Sequence, residues 1–372
     1  MKLILFPADT TGCGYYRMTL PHAAMEKLGH TVKVAHDLRD AFKEDYDIYV
    51  FQRVMTPQVV TTMKELKRRG KYIILDHDDD LFNLYPGHPS SGFFAMAKQC
   101  ISCGHSAIYE NQVMCPNCGS KKLQLQDRRA NIEESLRIPD LITVSTRELI
   151  HIYNKGKVTV KVIPNYIDIS LYPTEPNFDD DNVIIGWAGS STHALDLSDA
   201  SHVGYAMAKY PNAYLQCVGA EPVVMEQKLG GGVPEGHFSI LTPSSVDDYP
   251  TLISNFNIGL APILNNAFNR GKSHLKAMEY GAAWCPTIAS DVTPYIFYLQ
   301  SGTDGFLCSK PRQWAKAVDA LLSDNELRHK MALNARRKAE ANDINKNIGE
   351  RIAIYESLLA GEYDDKRVSI SA

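Results

Sequence analysis

The feature that most constrains this chain is a rhythm that runs twice. Short, β-rich apolar runs alternate with helical stretches, stop, and then start again. The first series of strand candidates is 3–6, 32–34, 48–51, 72–75, 141–144 and 160–163, with helical stretches such as 17–28 and 57–69 between them. The second series is 183–187, 215–218, 238–240, 258–261, 287–289 and 306–308. Apolar runs alternating with helices mean parallel strands joined by crossover helices, so each half is expected to be a doubly wound α/β sheet. Pro164-Asn165 breaks the first series, and 169–182, with two prolines and a run of Asp, reads as a linker. After 308 only helices follow, at about 312–322, 325–341 and 345–359, and the tail 361–372 is polar. The expected domains are 1–164, carrying an insert at about 98–122, and 165–345, followed by a C-terminal helix and tail at 346–372. Two Rossmann-like sheets facing each other leave a cleft at the carboxyl ends of their strands, where open α/β sheets bind ligands.

Composition narrows the partners. The 372 residues suit two domains at roughly 100–200 residues each. A net charge of −4 gives no global reason to expect nucleic acid or an acidic membrane. No apolar run reaches the ~18 residues that a membrane-spanning helix needs. The N-terminal apolar run stops at Pro7, too short for a signal peptide, and reads as a first strand. The chain is therefore expected in the cytoplasm.

Four of the eight cysteines cluster as Cys100-x2-Cys103 and Cys115-x2-Cys118. In a reducing compartment such a cluster reads as metal ligands rather than disulfides. Each pair makes a tight knuckle, and four thiolates converging on one tetrahedral ion leave no open position, so the expectation is one structural zinc. Lys121-Lys122 and Arg128-Arg129 make the sequel locally basic, either as a solvated face or as a nucleic-acid contact.

Two loops in the first half carry candidate chemistry. Asp9 to Arg17 (DTTGCGYYR) follows a strand and precedes a helix. Its glycines, Gly14 among them, let backbone approach a ligand, and a helix N-terminus offers N–H groups to an anion or a sugar hydroxyl. A tight turn without a ligand is the simpler reading. The fourth strand ends in Asp76-His77-Asp78-Asp79-Asp80. Three readings stay open: a metal site, a group that orients or deprotonates an acceptor hydroxyl, and a helix cap with acidic first-turn residues. Asp78 and His77 are the catalytic candidates.

The second half opens with a strand running into Gly189-Ser190-Ser191-Thr192-His193, a small-residue loop suited to phosphate or hydroxyl recognition. Later comes Arg270-Gly271-Lys272-Ser273-His274-Leu275-Lys276, with Glu279 three residues on. If a helix begins near Lys272–Ser273, then Lys272, Lys276 and Glu279 share one face at its positive end. Two lysines and a helix N-terminus fit a diphosphate, and the carboxylate fits ribose hydroxyls. A solvated Lys–Glu face is the plain alternative.

Taken in order, these motifs resemble the GT-B glycosyltransferases, specifically the retaining family 4 (group 1). The resemblance rests on Gly186-Trp187-Ala188-Gly189-Ser190, on Lys272-Ser273-x2-Lys276-x2-Glu279-Tyr280-Gly281 and on Ile288-Ala289-Ser290. In the first half it rests on Gly12-Cys13-Gly14-Tyr15-Tyr16-Arg17, on Val144-Ser145-Thr146 and on the run from Val162 to Asp168. It covers most of the chain except the cysteine insert. It implies two Rossmann-like domains across a cleft, an N-terminal acceptor domain and a C-terminal nucleotide-sugar domain. Donor contacts would come from Gly14, Gly189, Ser190, Ser191, His193, Arg270, Lys272, Ser273, Lys276 and Glu279, with the ribose on Glu279. Tyr15, Tyr16 and Arg17 would face the acceptor. Family members often carry a second glutamate where Gly271 stands, and an Arg and Lys after the first strand of the second domain that are not evident here; Arg270, Lys272 and Lys276 stand in for those cations. The resemblance implies transfer with retention from a UDP- or GDP-sugar. The acceptor is left open between a modified nucleobase in DNA, as in phage-type modification in a host cytoplasm, and a glycan or small molecule. The rival reading is a zinc-knuckle nucleic-acid-binding protein without transferase activity. A metal-dependent Asp-x-Asp transferase with one nucleotide domain is disfavoured by the second βα series.

Overall fold

A computed structural model describes residues 1–85, 88, 97–100, 102, 103, 106–108, 114, 115, 117–126, 128–155, 158–190, 193, 195–219, 222–242 and 247–363. The chain divides into two compact units, Met1–Pro164 with Gly349–Ala372, and Asn165–Ile348.

The first unit is a six-stranded parallel sheet. Its strands are β1 (Lys2–Phe6), β2 (Thr31–Val34), β3 (Ile48–Gln52), β4 (Tyr72–His77), β8 (Leu141–Val144) and β9 (Thr159–Val162), in the order β2-β1-β3-β4-β8-β9. β1, β3, β4 and β8 are buried almost end to end, which is why they read as continuous apolar runs rather than alternating ones. Ile4, Tyr49, Phe51, Met63 and Leu75 fill the core on one side, with Phe6 stacked on Phe51 at 4.7 Å. Between β4 and β8 lies a separate three-stranded antiparallel sheet of β5 (Ala97–Cys100), β6 (Ser106–Ile108) and β7 (Leu123–Gln126), in the order β6-β5-β7. Cys100 ends β5, and Cys103, Cys115 and Cys118 fall between the sheet's strands in sequence.

The second unit repeats the plan with β10 (Val183–Gly189), β11 (Ala213–Gly219), β12 (Phe238–Leu241), β13 (Ile258–Ala261), β14 (Thr287–Ser290) and β15 (Gly305–Cys308), in the order β12-β11-β10-β13-β14-β15. Trp187 and Trp314 anchor its core among Ile185, Leu215 and Val318. Strand order reverses direction between β10 and β13, so the crevice at their carboxyl ends is the place where such a sheet takes a ligand.

Two expected helices differ in detail. The stretch expected at 17–28 starts earlier, as a short turn at Gly12–Gly14, passes through a π-helical turn at Tyr15–Thr19, and becomes α-helical at Leu20–Lys27. The helix expected from Lys272 begins at Leu275 and runs to Ala282. A separate short helix, Ala267–Arg270, is capped by the Asn266 side chain on the Asn269 amide, and Lys272 is held in the turn that ends it by a bond from its amide to the Asn269 carbonyl.

Candidate active site

In the second unit the carboxyl end of β10 brings most of the expected donor residues together. The Lys276 ammonium donates to the Ala188 carbonyl at 2.8 Å. A Cβ at Gly189 would stand 2.8 Å from the Trp187 ring and 3.1 Å from Lys276 Nζ, so the glycine is what lets the lysine reach in beside the strand. Burial pulls the Lys276 pKa down, Glu279 pulls it up, and Lys272 pulls it down again. Lys272 lies over the Phe268 ring at 4.6 Å. The Glu279 carboxylate is 3% exposed and accepts from the Tyr249 hydroxyl at 3.1 Å. His193 lies close to both lysines, and its Nδ1 is 2.8 Å from Asp196 Oδ2. Ser273 accepts from Asn165 at 3.0 Å and Ser190 is exposed at the loop.

One expectation for this site is corrected. Lys272 is not on the helix face of Lys276 and Glu279; it reaches their neighbourhood from the preceding turn. Arg270 is exposed and donates to Asn265 at 3.0 Å. Ser191 lies outside the described residues. Asp196 was not anticipated, although a His-x-x-Asp spacing on a turn is a signal that could have found it.

The first unit departs further from expectation. The Asp9 Oδ1 oxygen accepts from the Thr11 amide, the Thr11 hydroxyl and the Gly14 amide, each at 3.0 Å. A carboxylate of the chain thus occupies the position an anion would take, and Gly14 has no amide to offer a donor phosphate. Its glycine is required for packing, since a Cβ there would sit 1.9 Å from the Asp9 carbonyl oxygen. Arg17 does not face an acceptor. It is fully buried and forks onto Asp76 at 2.9 and 2.6 Å, with a third bond to the Ile163 carbonyl at 2.6 Å. Tyr15 and Tyr16 are half-buried and meet edge to face at 5.0 Å.

The acidic run divides among structural partners. Burial pushes Asp76 up, but Arg17 and the Thr143 hydroxyl at 2.6 Å hold its carboxyl below the usual range. Asp78 forks onto Arg53 at 2.7 and 3.1 Å, and Asp79 meets the same guanidinium at 3.4 Å. Burial raises Asp78 and Arg53 more than offsets it, leaving the carboxyl well below the carboxylate range and a poor proton acceptor. Arg53 holds a left-handed backbone at φ 47°, a costly conformation kept where surroundings over-determine it. Asp80 accepts from the Phe82 and Asn83 amides, where the expected helix cap is a turn. His77 is fully buried and stacked on Tyr153 at 4.0 Å, and both ring nitrogens lack a hydrogen-bond partner among the described residues. The two catalytic candidates are thus found paired, Asp78 with Arg53, and enclosed, His77 against Tyr153.

The four cysteine sulfurs Cys100, Cys103, Cys115 and Cys118 lie within 4.8 Å of one another, with 3.5 Å between the sulfurs of Cys100 and Cys118 and 3.7 Å between those of Cys103 and Cys115. A tetrahedron of thiolates about 2.3 Å from zinc has edges near ~3.8 Å, so the donor set fits that ion. Gly119, at φ 69°, closes the second knuckle by donating its amide N–H to the Cys115 carbonyl at 2.8 Å. Lys121 and Lys122 are exposed beside it, but Arg128 is buried and Arg129 pairs with Glu133, so the expected basic flank is the two lysines.

Residues 199–324 match a family described as "Glycosyl transferases group 1". No curated protein matches the sequence. Among solved structures, Anabaena HepE in complex with UDP-glucose is 15% identical, covering 95% of this chain and 100% of that one, with a TM-score of 0.65. Sucrose-phosphate synthase from Thermosynechococcus elongatus is 15% identical over 97% of this chain and 100% of that one, with a TM-score of 0.62. The pneumococcal O-GlcNAc transferase GtfA, solved with UDP and GlcNAc, is 13% identical over 87% of this chain and 59% of that one, with a TM-score of 0.57. These likenesses are of fold: two parallel-sheet α/β domains, as in GT-B glycosyltransferases. No helix among the described residues is long and apolar enough to cross a membrane.

Proposed function

We propose that this enzyme, a glycosyltransferase by its group 1 domain, takes a sugar from a nucleoside diphosphate sugar held by the second unit and passes it to an acceptor hydroxyl. One observation carries the reading. Lys276 is a half-buried cation at the carboxyl end of β10, with Lys272 near enough to act on it and Glu279 one helical turn along. A partly desolvated ammonium has more to gain from a phosphate than a fully hydrated one, and it is already in place as charge grows on the leaving diphosphate. Glu279 takes the ribose. UDP-sugars are the first donors to try, because HepE was solved with UDP-glucose and GtfA with UDP. The transfer retains the anomeric configuration, as the family resemblance implies.

The acceptor is taken up by the first unit, beside Tyr15 and Tyr16. The exposed Lys121 and Lys122 favour a polyanionic acceptor, of which a hydroxylated base in DNA is the form that offers a hydroxyl. Mass spectrometry of products from UDP-glucose, UDP-GlcNAc and GDP-mannose, each with hydroxymethylated DNA, oligosaccharides and small polyols, tests both halves of the reading. The expected product is one acceptor heavier by a single glycosyl group, with one nucleoside diphosphate released per transfer. Neither transfer nor nucleotide release from any donor sinks it.

The cysteine cluster holds one structural zinc in this reading. Freshly reduced protein is expected to carry about one zinc per chain by elemental analysis. Cys115→Ser is expected to lose it, while UDP affinity in the second unit stays unchanged. Zinc-free wild-type protein refutes the assignment.

A further inference from the structure

The donor site contains a clamp that the lysines and Glu279 do not account for. Asp196 is 1% exposed, and it ties together the two loops that flank the reversal of strand order. Its Oδ2 is 2.8 Å from Nδ1 of His193, on the loop after β10. Its Oδ1 accepts from the Leu264 amide at 2.9 Å, on the loop after β13, and from the Asn269 side-chain amide at 3.0 Å. Burial pushes the Asp196 carboxyl up, but His193 and the Leu264 amide hold it below the ordinary value, so it stays ionised. An ionised carboxylate on Nδ1 fixes the hydrogen there, which leaves the lone pair on Nε2.

Without a ligand, burial and then Lys276 lower His193 to about 4, with Lys272 adding to the effect and Asp196 opposing it. The ring is therefore neutral near pH 7, and a lone pair on Nε2 repels a phosphate oxygen. A diphosphate changes the balance. It neutralises the two lysines that keep the proton off and leaves untouched the carboxylate that holds it on. Resting on the donor-site reading above, we propose that Asp196 is a positioning residue that makes His193 a proton-coupled ligand of the donor diphosphate. On binding, a solvent proton moves to Nε2, and Nε2–H then donates to a phosphate oxygen. No bond to carbon forms or breaks in this step. By linkage, a ligand that raises a pKa binds more tightly as the pH falls toward the raised value.

Calorimetric titration of the full chain with UDP at about pH 6.5, in buffers of different ionisation enthalpy, counts the protons taken up. Wild type is expected to take up as much as about one proton more per UDP than His193→Gln, since the ionisation of UDP itself is common to both. UDP affinity of wild type is expected to fall with rising pH more steeply than that of His193→Gln, by up to about tenfold per pH unit. Asp196→Asn is expected to match His193→Gln in proton uptake, and Asp196→Glu to restore part of the difference; a clamp of purely structural importance would move melting temperature but not proton count. If Asp196→Asn does not fold, the wild-type and His193→Gln comparison decides the question alone. Equal uptake by those two proteins, with UDP bound by both, overturns this inference and leaves the donor site standing. Failure of wild type to bind UDP, GDP or ADP overturns both.

Discussion

Acidification from about pH 7.5 to pH 5 is expected to cost each of the two units on the order of 4 kcal/mol, because each holds two imidazoles in the neutral form. Burial and Arg351 lower His22 to about 3, burial lowers His77 to about 4, and burial with Lys276 does the same to His193. Burial and Lys338 bring His274 to about 4. In the unfolded chain each titrates near ~6.5. At intermediate pH the unfolded state therefore binds more protons, so stability rises with pH across this window. The contribution is whole above about pH 6.5 and drains away as the pH falls toward the folded values, at about 1.4 kcal/mol per unit for each ring. By pH 5 that is about 2 kcal/mol apiece, against a total stability of about 5–15 kcal/mol for an ordinary domain. Denaturant midpoints across the pH series measure the slope. His77→Phe isolates one term: it keeps the stacking on Tyr153 and surrenders no hydrogen bond. The variant is expected to unfold with a pH dependence flatter by about 2 kcal/mol at pH 5. An unchanged slope means that His77 is hydrated or already charged.

Lys276→Ala is expected to weaken UDP binding by about ten- to a hundredfold, the equivalent of about 1.5–3 kcal/mol for a charge-assisted contact to phosphate. Uridine, with no phosphate to lose, is expected to bind the variant as it binds wild type. Glu279→Ala is expected to weaken uridine and UDP alike, because ribose is common to both. Lys272→Ala is expected to follow Lys276→Ala with a smaller loss, since its side chain comes from the preceding turn rather than from the helix that bears Glu279. Calorimetry with uridine, UMP and UDP against the three variants separates the roles. Equal losses for nucleoside and diphosphate in all three point to a folding defect and not to a binding site.

Most of the architecture could be read from the sequence because a parallel sheet buried on both faces writes its strands as short apolar blocks. Ile48–Gln52 and Leu141–Val144 are buried at every position. Local signals did less well where partners are remote. The acidic run announced a need for positive charge, but Arg17 and Asp76 are 59 residues apart and meet only because β1 and β4 lie in one sheet. Asp78 and Arg53 meet because β3 and β4 are neighbours in register. No periodicity encodes such pairings. The helix start at Leu275 was obscured by Ala267–Arg270, whose Asn266 cap precedes it and holds Lys272 in a turn. In the first loop the glycines drew attention to backbone amides, while the residue that consumes them, Asp9, stood in plain sight before them.

The division of the chain bears on the order in which it can be completed during synthesis. The second unit is one continuous stretch, Asn165–Ile348, whereas the first needs Met1–Pro164 and residues from Gly349 onward. Those late residues belong to its interior: Tyr355 is fully buried with its ring 6.1 Å from that of His22, and Arg351 donates to the Tyr355 hydroxyl at 2.9 Å. The part made first must therefore wait, unfinished, while the part made second is already whole. Until the last helix emerges from the ribosome, the helix bearing His22 exposes the face that Tyr355 will cover. A nascent chain stalled before Gly349 would present a complete second unit attached to a first unit whose packing around His22 is unfinished.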